Sequence, residues 1–153
     1  MNFREIDDLL SDLSVHLTTE NEKKGGILFR EKRILHGTAS YEKLFETIPD
    51  LTKFPAIVLS SGDMNFPMEY GGCVRESQLY ITFVSRPFGN AEKEMESNKH
   101  FQELLNTLSG DYPGRPLILN NVPMIKNRAE KISYTQEYLV WNISISAQEL
   151  TNI

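Results

Sequence analysis

Residues 138–146 read Tyr-Leu-Val-Trp-Asn-Ile-Ser-Ile-Ser. Leu139, Trp141, Ile143 and Ile145 share one parity, and Tyr138, Val140, Asn142 and Ser144 the other. Successive side chains of a strand point to opposite faces, so this stretch predicts a β-strand with one large apolar face and one mixed aromatic and polar face. The same alternation recurs upstream. Within 74–86, Leu79, Ile81 and Phe83 face one way and Gln78, Tyr80 and Thr82 the other. Two long strands of this kind call for a mainly antiparallel sheet, with its apolar face covered by helices.

Two stretches have the helical period that such a cover needs. Phe3, Ile6, Leu9, Leu10, Leu13 and Leu17 recur at spacings of three and four, with Asn2 in the capping position and Glu5 three residues on. Met95, Phe101, Leu104, Leu105 and Leu108 form the stripe of a second helix over about 91–109, capped by Asn90 and ended by Gly110. A short helix follows Ser40, with Tyr41, Leu44, Phe45 and Ile48 on one face and Pro49 at its end. Residues 27–35 read as a basic strand, 54–60 as a buried strand, and Leu117–Leu119 and Val122–Ile125 as short strands. The reading is an α+β, two-layer fold: a mainly antiparallel sheet on two amphipathic helices, plus one short helix. The predicted core is Ile6, Leu10, Leu13, Ile57, Leu79, Ile81, Phe83, Phe101, Leu105, Leu108, Trp141 and Ile143.

The 153 residues fit a single domain over 1–153. Hydrophobic residues make up 40% and charged residues 24%, which argues against wholesale disorder. The longest wholly apolar run, Phe54–Leu59, is far short of the roughly 18 residues of a membrane helix. Arg4, Glu5, Asp7 and Asp8 near the start predict that no secretory signal is present. The net charge of −5 speaks against a nucleic-acid partner, which depends on neutralising phosphates. Charge is nevertheless segregated: residues 1–22 hold one base against six acids, whereas 23–33 hold Lys23, Lys24, Arg30, Lys32 and Arg33 against Glu31 alone. Blocks of opposite sign can complement each other between copies of a chain.

No motif for phosphate binding, metal-dependent hydrolysis or a nucleophilic serine occurs. His16, His36 and His100 lack a histidine partner at helical spacing, so no metal site, catalytic residue or cofactor is predicted. A lone cysteine, Cys73, excludes an internal disulfide. The most unusual segment is 63–72, where Met64, Phe66, Met68 and Tyr70 alternate with Asp63, Asn65, Pro67 and Glu69 before Gly71–Gly72. Pro67 keeps it out of a central strand, so it reads as an extended arm or an edge strand. It either covers the core or meets another chain, since methionine and aromatics are enriched at interfaces. The candidate interface residues are Met64, Phe66, Met68 and Tyr70 with Lys23, Lys24, Arg30, Lys32 and Arg33.

An N-terminal amphipathic helix leads to a basic strand and then to Phe54-Pro55-Ala56-Ile57-Val58-Leu59. A long strand around Leu79–Val84 follows, then a helix ending Leu104-Leu105-Asn106-Thr107-Leu108, a Gly–Pro turn and a terminal strand. Over roughly residues 3–147 this layout resembles the tail terminator, or tail completion, proteins of tailed bacteriophages and prophages. The resemblance implies a structural subunit in the virion or host cytoplasm. Such a subunit forms a ring with copies of itself, typically a hexamer, on the tail tube protein and presents a surface to the head–tail connector protein. It carries over no catalytic residue. Two alternatives come from other classes: a small cytoplasmic enzyme with a site assembled from Cys73, His36, Asp63 and Arg75, and a monomeric adaptor that binds through the arm.

Overall fold

The computed structural model describes residues 3–36, 41–69, 72–110 and 114–152. In chain order the elements are α1 (Ile6–Lys23), β1 (Glu31–Ile34), α2 (Tyr41–Thr47), a 3-10 turn (Ile48–Asp50), β2 (Ala56–Asn65) and β3 (Met68–Glu69). They continue with β4 (Gly72–Ser85), α3 (Ala91–Asn106), β5 (Leu117–Leu119), β6 (Val122–Ile132) and β7 (Leu139–Asn152). The fold is α+β. One sheet runs β1-β2-β4-β7-β6-β5, with β3 added to β4, and β1–β2 is its only parallel pair among the described residues.

The two alternating segments form the centre. β4 and β7 pair without interruption from Gly72↔Asn152 to Ser85↔Leu139, placing Leu79, Ile81 and Phe83 opposite Ile145, Ile143 and Trp141. On this face α1 buries Leu9, Leu10, Leu13 and Leu17, and α3 buries Phe101 and Leu104, with Leu108 just beyond. The Phe101 ring stacks on Trp141 at 4.9 Å and meets Phe83 at 5.4 Å. Every residue of the predicted core belongs to this cluster, with Ile6, Leu105 and Trp141 only partly buried.

The opposite parity is buried as well. Ala56, Val58, Val84 and Val140 pack against Leu44, Ile48 and Leu51 from α2 and its 3-10 extension. The short helix therefore covers part of the second sheet face, where Thr82 donates to the Asn142 side chain at 3.0 Å.

Local competition explains where elements differ from expectation. The basic strand shortens to Glu31–Ile34. The Asn21 side chain accepts from the Leu28 and Phe29 amides at 3.0 and 3.2 Å and donates to the Phe29 carbonyl at 2.9 Å. These bonds fix 28–29 as a turn stapled to α1, with Leu28 buried and Ile27 exposed. At the N-terminus, α1 starts at Ile6 without a side-chain cap, and Asn2 lies outside the described residues. The Arg4 amide donates instead to Glu149 at 2.9 Å. The second long helix stops at Asn106, where the Thr107 hydroxyl donates to the Leu104 carbonyl at 2.7 Å. Gly110 then runs so close to Pro116 that a Cβ would sit 2.6 Å from its carbonyl oxygen. Finally, β6 continues to Ile132 through a polar stretch, 126–131, that is exposed and so shows no apolar alternation.

Candidate interface for assembly

At one end of the sheet, β2, β4 and β7 extend past the helical cover. Arg75 and Glu149, both almost fully buried, form an ion pair there, with the Arg75 Nε donating to Glu149 at 3.1 Å. The Arg75 guanidinium also donates to the Arg4 carbonyl and lies 4.9 Å from the centre of the Phe3 ring. The N-terminal segment is thus clamped onto the sheet, and Phe3 offers its ring to Phe66 at 6.3 Å.

The predicted arm is partly sheet. β2 continues through Asp63, Met64 and Asn65, with an irregularity between Ser61 and Met64, and β3 pairs Met68 with Cys73. Met64 is 42% exposed and Phe66 63%. The backbone of Met68 lies in β3, while its side chain and all of Tyr70 lie outside the described residues. Leu150, which sequence reading missed, is also 63% exposed. It faces Val74 on the side of the sheet away from Phe66. Its signal was legible, because it continues the even-numbered parity of Val140.

The basic block is largely satisfied within the subunit. Lys23 pairs with Glu20 at 3.4 Å, and Lys24 reaches Glu103 of α3 at 3.3 Å. Lys32 donates to the Thr18 hydroxyl at 2.6 Å, and burial lowers its pKa. Arg33 meets Glu31 at 2.9 Å. Burial pushes the Glu31 carboxyl up, but bonds from the Thr52 and Lys53 amides and from Arg33 outweigh it, so its pKa lies below the ordinary value. Of the five bases, only Arg30 has no side-chain partner among the described residues.

The residues of the enzymatic alternative have other commitments. His36 meets Asp7 at 3.0 Å, Arg75 is held by Glu149, and Cys73 and Asp63 are exposed along the sheet extension. None of the four is among the lining residues of three clefts, one beside the α1–β1 connection and α3, one beside 131–140, and one between α1 and β5. Among the described residues no cluster of three or more His, Cys, Asp or Glu could hold a metal ion, and no helix is long and apolar enough to cross a membrane.

The two sheet edges differ. β1 carries the charged run Glu31-Lys32-Arg33, whereas β5 carries Ile118 outward beside the exposed Val15 of α1. An Asn120–Asn121 turn with both φ angles positive joins β5 to β6.

No protein-family model matches this chain, and no curated protein matches it. A chain in the solved structure described as "Virion of native gene transfer agent (GTA) particle" is similar to it. The TM-score is 0.47 and the identity 10%, over 88% of this chain and 92% of that one.

Proposed function

We propose that the chain is a structural subunit of a virion-type assembly, with the role that its resemblance to tail terminator proteins implies. Copies join head to tail in a closed ring of six on the end of a tail tube, and the ring's outer surface receives the head–tail connector. No catalytic step is assigned to it. The observation that carries this reading is the exposure, at one end of the sheet, of Phe66 in the link between β2 and β3 and of Leu150 in β7. Large apolar groups held at a sheet end mark a surface built to be covered. A ring of identical chains also needs two unlike patches on each subunit, which the charge-rich β1 strand and the exposed Ile118 and Val15 beside β5 can provide.

The test is sedimentation of the chain alone and with tail-tube protein, alongside electron microscopy of capped tubes. Phe66→Ala with Leu150→Ala should weaken assembly by about thirtyfold or more, corresponding to about 2 kcal/mol for a truncated anchor. Wild-type assembly affinity in that variant would sink the proposal.

A further inference from the structure

A cleft of about 700 Å³ opens at the other end of the sheet from Phe66, between the α1–β1 connection, the Phe54–Pro55 segment, the start of the β4–α3 turn and α3. Its volume lies in the range of small-ligand sites. Gly25, Gly26, Ile27 and Arg30 form one wall, and Lys93, Glu96, Ser97 and His100 recur along one face of α3 to form the other. The floor is internally satisfied: Ser97 donates to the Lys93 carbonyl at 2.9 Å and shares a 2.6 Å bond with Ser85. Arg86 is fixed at the rim by Glu137 at 2.9 Å, between the Phe88 and Tyr138 rings. Its Nε is buried without a hydrogen-bond partner among the described residues.

The remaining bases are not satisfied. Arg30, Lys93 and His100 come from two walls of one cleft, and their side chains have no partner among the described residues. Glu96 is the one acid among the described lining residues. Arg30 and Lys93 thus place two positive charges on facing walls of one cleft, with the His100 ring beside Lys93 on α3, in a chain whose net charge is −5. An anion with several oxygen atoms would meet hydrogen-bond donors on both walls at once. Arginine supplies a planar fork of donors and lysine a compact charge, a combination suited to phosphate or carboxylate oxygens. We propose that this cleft binds a small polyanion through Arg30, Lys93 and His100. The proposal stands apart from the ring reading.

Pyrophosphate and, separately, citrate are titrated into the full chain at low salt, followed by calorimetry and by NMR of backbone amides and histidine rings. The expected result is saturable binding, with resonance shifts confined to the Arg30, Lys93 and His100 walls. Tighter pyrophosphate binding assigns the site to phosphate groups, and tighter citrate binding to clustered carboxylates. Arg30→Ala with Lys93→Ala should weaken binding at least tenfold with the thermal midpoint retained, since both residues are exposed. Glu96→Gln should tighten it. Non-saturable titrations, shifts scattered over the surface, or undiminished affinity in the double variant would overturn the proposal.

Discussion

Arg75 and Glu149 carry the sharpest consequence at the scale of single residues. Removing one member of a buried ion pair strands the other, so Arg75→Met should cost about 3–5 kcal/mol in urea unfolding. Replacing both, with Arg75→Met and Glu149→Leu, should cost less than the single change, because no charge is then left behind. A double variant worse than Arg75→Met would show that Phe3 and Arg4 depend on the guanidinium itself. Glu31 makes a prediction about pH. Its carboxyl pKa lies below the ordinary 4.5 in the folded state, so its stabilising contribution is complete above 4.5 and is lost as the pH falls from there through the folded-state pKa. Glu31→Gln should therefore be less stable than the native chain at about pH 7 and indistinguishable from it well below the folded pKa.

Among the elements, the central strands were legible because their alternation is strict and their packing confirms it. Ile81→Ala should cost about 2–5 kcal/mol, and Leu105→Ala, only partly buried, clearly less. Equal losses in thermal unfolding would contradict the packing. Other elements were hidden for physical reasons. Residues 28–29 look strand-like, yet Asn21 satisfies their backbone from the preceding helix. The polar half of β6 leaves no periodic trace because solvent accepts any side chain there. The turn after β5 offers a stabilising change. Asn121 sits at φ 66°, where glycine fits without a Cβ penalty, so Asn121→Gly should raise stability by a few tenths of a kcal/mol to about 1 kcal/mol. A lower melting temperature would mean that the asparagine side chain holds the turn.

For the whole molecule, the apolar arm could be read from the alternation at Met64 and Phe66, whereas Leu150 was visible only as a residue continuing a strand. The basic cleft leaves no signal in the sequence because Arg30, Lys93 and His100 are far apart along the chain and meet only through the packing of α3 beside the α1–β1 connection. The order of the sheet has a further consequence. β7 comes after every other described element, yet it lies between β4 and β6. Its partners on β4 lie roughly 50–80 residues earlier, so the central ladder closes long loops and should form slowly. During synthesis β2–β4 and β5–β6 therefore wait as separate hairpins with unpaired inner edges. Pulse-labelled hydrogen exchange should find the amides of 141–145 protected after those of α1. In that interval a late strand from a neighbouring nascent chain fits the gap as well as the chain's own. Domain-swapped dimers, rather than disordered aggregates, are then the expected by-product of crowded refolding.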